Sequence, residues 1–202
     1  MDGIADSETS ALMLPSTVIS NIAIATICSL PALAAASDFR LLSEDVRHGE
    51  SLAMAQVFDG FGCTGSNRSP ALRWGSPPVG TKSFAITMYD PDAPTGSGWW
   101  HWLVYNIPGN VDVLAEKAGA IGGAALPREA RMGRNDFGAH AYGGACPPPG
   151  VRAHRYLFSL HALKIEKIEL PHDASAAMIG FMINSNGLAT VRITTTYGRP
   201  AR

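Results

Sequence analysis

Five short runs rich in aromatic and β-branched residues constrain this 202-residue chain more than any other feature of it. Residues 51–58 are mixed, 83–89 (SFAITMY) alternate, and 99–107 (WWHWLVYNI) are apolar on both faces. Residues 155–163 (RYLFSLHAL) and 188–197 (LATVRITTTY) complete the set, and turn residues bound each run, as strands require. One segment has helical character, 174–184 (ASAAMIGFMIN), with Asp173 available as N-cap and Gly187 near its end. Its stripe of Met178, Ile179, Phe181 and Met182 suits packing on a sheet better than a membrane. The proportions predict a mainly β fold, antiparallel, with one or two short helices at the side.

Charge narrows the function. The formal net charge is -1 and Lys and Arg form no run, so the basic face that nucleic-acid binding needs is missing. The charges are unevenly spread: no Lys or Arg precedes Arg40, while Asp2, Asp6 and Glu8 are all in the first ten residues. Residues 17–30 (TVISNIAIATICSL) are apolar enough for the core of a signal peptide and too short to span a bilayer. Pro31-Ala32-Leu33-Ala34 then offers the small-x-small pattern of a cleavage site, and Met13 is an alternative start that would remove the acidic beginning. The expectation is a signal peptide or unstructured segment over 1–36, a domain over 37–202, and a periplasmic or secreted protein. A cytoplasmic protein with an N-terminal tail is the alternative. Cleavage would remove Cys28 and leave an even pair, Cys63 and Cys146, which in an exported chain is expected to form a disulfide.

Residues 109–150 hold nine Gly in 42 residues with little periodicity, and loops of that length in compact domains are usually functional. RNDFG at 134–138 and YGGACPPPG at 142–150 mark this stretch as the wall of a site. Asp90 continues the face of Phe84, Ile86 and Met88 at the end of its run, and Pro91 and Pro94 stiffen the turn carrying Asp90 and Asp92. If the next run closes a hairpin, His101 sits near Asp90, on a face shared with Leu103, Tyr105 and Ile107. His154 opens the 155–163 strand on the face of Tyr156, Phe158 and Leu160. A carboxylate beside an imidazole fixes its tautomer and favours its cation. Two such histidines, with loop N–H groups from Gly143 and Gly144, would accept a phosphate or carboxylate. On this expectation His101 and His154 donate to the anion, Asp90 and Asp92 orient them, and binding weakens as pH rises.

DPDAP at 90–94, WWHWLVYN at 99–106 and HRY at 154–156 together resemble the phosphatidylethanolamine-binding family, in the form of its bacterial, Raf kinase inhibitor-like branch. SPALRW at 69–74 and RNDFG also match, and the similarity runs from about Phe39 to Tyr197. The resemblance implies a two-sheet antiparallel β-sandwich without a cofactor or metal. It implies a ligand pocket formed by Asp90, Asp92, His101, His154 and Tyr156, with Pro94, Tyr142, Gly144 and Pro148 at its rim. It also implies a non-catalytic binder of small anions such as phospholipid head groups, or an inhibitor of kinases or proteases. Eukaryotic members end in a helix that covers the pocket. This chain ends at Arg202, soon after its last strand, so a more open pocket is expected.

Two other classes compete. Asp90, His101 and His154 could make a two-His, one-carboxylate metal site for hydrolysis, although the helix-borne spacing of HExxH is missing. Ser97 lies in GSG without the setting of a nucleophile elbow, and Ser66 and Ser69 have no evident base. The pocket could instead receive an acidic group of a protein partner, as a secreted protease inhibitor would. Trp99, Trp100 and Trp102 are expected to serve as core or rim packing.

Overall fold

A computed structural model of the protein describes residues 38–201. The segment expected to be a signal peptide, with Cys28, lies outside the described residues.

Four long strands follow the apolar runs: β5 (Ser83–Asp90), β6 (Trp99–Pro108), β9 (His154–Leu163) and β10 (Gly187–Tyr197). With the short β8 (Arg131–Met132) they form a five-stranded antiparallel sheet in the order β10-β9-β5-β6-β8. A second sheet of three short strands, β1 (Arg40–Leu42), β4 (Leu72–Gly75) and β7 (Val113–Leu114), is ordered β1-β4-β7. The main core lies between the sheets. Leu41, Leu72 and Trp74 meet Phe84, Ile86, Met88, Trp102, Val104, Tyr156, Phe158 and Leu160 there. Each fully buried side chain of this size contributes roughly 1.5–3 kcal/mol, so this layer dominates stability.

The other face of the large sheet carries a smaller cluster. Ala85, Leu103, Tyr105 and Leu163 pack on Ile179 and Ile183 of helix α1 (Ala176–Asn186). The helix begins two residues later than its pattern suggests. Its cap is Ser175, whose hydroxyl accepts from Met178 N–H at 3.2 Å, not Asp173. It runs to Asn186, and Gly187 passes directly into β10.

Residues 51–58 are not a strand. Met54–Gln56 is a single 3₁₀ turn, and only Ser51 and Val57 form isolated bridges, to Thr196 and Ala145. Beyond that turn, β2 (Asp59–Gly60) and β3 (Cys63–Thr64) form a hairpin whose two-residue loop is Phe61-Gly62, both with positive φ (51° and 76°). That is the twist-matched turn of tight hairpins, and an aromatic residue there is held at some conformational cost.

The hairpin is tied to the long glycine-rich loop by the Cys63–Cys146 disulfide, with Cα atoms 6.0 Å apart and a sequence separation of 83. A closure that long restricts the unfolded chain by roughly 4–5 kcal/mol in the chain-entropy account. Replacing both cysteines with serine is expected to lower unfolding free energy by about 2–4 kcal/mol, read from urea midpoints. An unchanged midpoint would mean that hairpin and loop hold without the bond.

Candidate functional site

Antiparallel pairing in the order β9-β5-β6 places the last residue of β5 beside the first residues of β6 and β9. Asp90 pairs with Trp99 across the hairpin, and its side chain is 4% exposed. Both oxygens are committed. Oδ1 accepts from Asp92 N–H at 2.8 Å, closing the turn, and Oδ2 accepts from His154 Nδ1 at 2.8 Å. An ionised carboxylate only accepts, so the proton on His154 Nδ1 is fixed and Nε2 is left for other partners.

His101 arrives by a different device. Met88 pairs with Trp102 but Tyr89 with Trp100, so β6 carries one extra residue at His101. This bulge breaks the alternation. His101 is turned off the helix-side face of Leu103 and Tyr105, where strict alternation puts it. Its ring lies edge-on to Tyr156, 5.2 Å between centroids, and to Phe137, 5.4 Å. A second register shift, between Phe84 and Ile86, likewise moves Ile107 into the main core.

The loop fixes the imidazole from the other side. His101 Nδ1 donates to the carbonyls of Gly143 (2.8 Å) and Gly144 (3.1 Å). Such close backbone approach requires glycine: a Cβ on Gly143 would strike the Phe137 ring, and one on Gly144 the backbone of residues 56–58. The N–H groups of these glycines do not face the cavity. Gly143 N–H donates to the His101 carbonyl (2.9 Å) and Gly144 N–H to Asn67 Oδ1 (2.7 Å). Burial pushes the His101 pKa below its ordinary value, outweighing the loop carbonyls and the Asp90 and Asp136 charges that act the other way. The ring is therefore neutral at pH 7, with its proton on Nδ1.

A cavity of about 180 Å³ opens over these groups. Asp90, Pro94, His101, Pro148 and His154 line it, as expected from sequence. Phe61, Trp99, Phe137 and Pro147 add an aromatic and apolar wall. Phe61 is 74% exposed and packs against Phe58 and Phe137. Sequence reasoning passed over it, although an aromatic between two glycines in GFG marked a turn.

Four expected residues lie elsewhere. Asp92 orients no histidine; it receives Arg155 through the backbone N–H and Nε (2.9 Å each) and Nη2 (2.8 Å). Tyr142 is buried, donating to the Gln56 carbonyl at 2.9 Å. Gly144 acts through its carbonyl on His101. Tyr156 lies beside the His101 ring, fully buried, and its hydroxyl has no partner among the described residues.

The sequence profile of the family described as "Phosphatidylethanolamine-binding protein" matches residues 42–198. The chain belongs to the phosphatidylethanolamine-binding protein family. It is similar to bacterial members, among them UPF0098 protein YbcL of Escherichia coli, 52% identical over 164 residues, which are 81% of this chain and 90% of YbcL. UPF0098 protein YbhB of the same organism is 48% identical, covering 78% of this chain and 99% of YbhB. The crystal structure of E. coli YbcL, described as a new member of the mammalian family, superposes with a TM-score of 0.78 over 79% of this chain and 98% of that one. A putative lipoprotein of Mycobacterium tuberculosis, LppC, is 31% identical over 68% of this chain and 63% of its own length.

The Asp92–Arg155 contact ties the DPDAP turn to the entrance of β9. Hydrogen bonds from Arg155 hold the Asp92 carboxyl well below the usual carboxylate range, against the effect of burial. A depressed folded-state value stabilises fully above the unfolded value, about pH 4, and that stability is lost as pH falls below it. The wild type is expected to lose stability faster than Asp92→Asn between about pH 4 and pH 2, measured by urea unfolding. Parallel curves would remove this role from Asp92.

Proposed function

We propose that this protein is a non-catalytic binder of a small anionic group, phosphate or carboxylate, which enters the cavity between Asp90, His101 and His154. Family membership supports a binding protein of the phosphatidylethanolamine-binding kind. The observation that carries the proposal is the pair of buried imidazoles. Both line one small cavity, and each is locked through Nδ1 by an acceptor that leaves Nε2 free. When protonated, His154 forms an ion pair with Asp90 and its Nε2–H becomes a donor for an anion.

The other groups on the wall fit binding better than catalysis. Thr95 already donates to the Gly98 carbonyl and Cys146 is in the disulfide, so neither is a free nucleophile. Both Asp90 oxygens are occupied, which makes that carboxylate an orienting group more than a metal ligand or base. The exposed Phe61 beside the cavity favours a second form of the same proposal, in which the anion belongs to a protein partner and an apolar side chain packs on the rim.

We also place the protein outside the cytoplasm. The disulfide, the apolar segment at 17–30 and the name of the mycobacterial relative support export. N-terminal sequencing of protein from a periplasmic fraction is expected to begin close to residue 35. Recovery of the intact N-terminus in the cytoplasm would overturn export.

Thermal unfolding against phosphate and acetate tests the binding proposal. An anion at a hundred times its dissociation constant should raise stability by about 2.7 kcal/mol. The wild type is expected to respond and His154→Ala to lose the response. Indifference of the wild type to both anions would overturn the proposal.

A further inference from the structure

We propose that His140 and His172 form a surface site for a divalent transition-metal ion, Cu(II) in preference to Zn(II). The two rings border a hollow of about 370 Å³ that shares no lining residue with the cavity, so this site stands apart from the anion-binding function proposed above.

His140 is already arranged as a metal ligand. Its Nδ1 donates to the Met132 carbonyl at 3.0 Å. A carbonyl only accepts, so the proton is on Nδ1 and Nε2 of the neutral ring carries a lone pair. Metal-binding imidazoles are supported by an N–H bond of this kind, which fixes the tautomer and raises the basicity of the other nitrogen. The backbone at this point is held too. Asn135 N–H donates to the Ala139 carbonyl and Ala139 N–H to Asn135 Oδ1, each at 2.9 Å.

His172 comes from a different part of the chain, the turn before α1 that Ala174 N–H closes on the Pro171 carbonyl at 3.1 Å. An ion held by two nitrogens at about 2.0–2.1 Å needs them no more than about 4.2 Å apart. The ring centroids stand 4.2 Å apart with a tilt of 36°. The His172 side chain is exposed, so its ring is free to turn a nitrogen toward the ion without moving the backbone.

Ligand type selects the metal. Imidazole suits Cu, Ni and Zn, and Cu(II) heads the divalent affinity order. Among the described residues no three His, Cys, Asp or Glu gather as a metal cluster, so water completes the coordination and the ion exchanges readily. Arg128 and Arg131 border the same hollow, and their charges oppose a dication. Both are exposed, so solvent screens that repulsion, which lowers affinity without occupying the nitrogens.

Calorimetric titration of the protein with CuCl2 and ZnCl2 at pH 7.5 tests this. Cu(II) is expected to bind more tightly than Zn(II). His140→Ala and His172→Ala should each weaken Cu(II) binding by about tenfold or more, and Arg131→Gln should strengthen it. His154→Ala, in the cavity, should leave it unchanged. His172→Ala changes only an exposed turn, so it tests the site even where His140→Ala disturbs the loop. Electron paramagnetic resonance of the Cu(II) complex should show two coupled nitrogens, and fewer in either histidine variant. Absence of Cu(II) binding, or an affinity indifferent to both substitutions, overturns the site. A loss confined to His154→Ala would assign the metal to the cavity and overturn it equally.

Discussion

The cavity depends on the carboxylate of Asp90, a buried charge at the point where three neighbouring strands end or begin. Its two oxygens bind the turn that follows β5 and the histidine that opens β9, so one side chain joins two connections of the sheet. Removing one partner of such a group leaves an uncompensated buried charge, a change that typically costs 3–5 kcal/mol. The turn is held again from outside, where Asp92 takes three hydrogen bonds from Arg155, the residue after His154. Two acids separated by Pro91 thus grip two adjacent bases, one pair buried and one facing solvent. The buried pair sets the tautomer of the imidazole, and the outer pair fixes where the strand enters.

His101 is placed by geometry of a different kind. A regular β6 would direct it toward helix α1, into the apolar cluster of Leu103 and Tyr105. The extra residue in the strand turns it toward the glycine-rich loop, whose carbonyls satisfy Nδ1. The loop in turn hydrogen-bonds along β6: Gly133, Asp136 and Gly143 donate N–H groups to Leu103, Trp100 and His101 carbonyls. Asn135 adds side-chain bonds to the His101 and Ala141 carbonyls. RNDFG therefore serves mainly to hold the loop on the strand, while its Phe137 reaches the cavity.

What the sequence revealed follows from the length of each signal. β5, β6, β9 and β10 run 8 to 11 residues, enough for aromatic and β-branched patterns to declare themselves. The strands of the second sheet run only 2 to 4 residues, at most two full alternations, too short to declare a pattern. Residues 51–58 have strand-like composition, but their hydrogen bonds go to Ala145, Gly65 and Asn67, partners that no local pattern reports. The meeting of Asp90, His101 and His154 was legible because antiparallel hairpins bring strand ends together. The bulge at His101 was not, since no glycine marks it. The roles of Asp92, Gly143 and Gly144 were misjudged for a related reason. Spacing shows that a group is near a site, and only coordinates show which of its atoms are already engaged.

The disulfide completes the account because of where it is anchored. Cys146 lies two residues after Gly144 and borders the cavity itself, while Cys63 opens the second strand of the hairpin that carries Phe61. Arg199 reinforces the junction, donating to the Gly62 and Pro147 carbonyls from the far side. One covalent bond therefore secures the aromatic rim and the segment whose carbonyls grip His101 Nδ1. If that segment could drift, Nδ1 would lose its acceptors and the ring could exchange tautomers, so that Nε2 would offer a proton in place of a lone pair. A fixed tautomer needs a fixed loop. Glycines let the loop come close enough, and the disulfide holds it there.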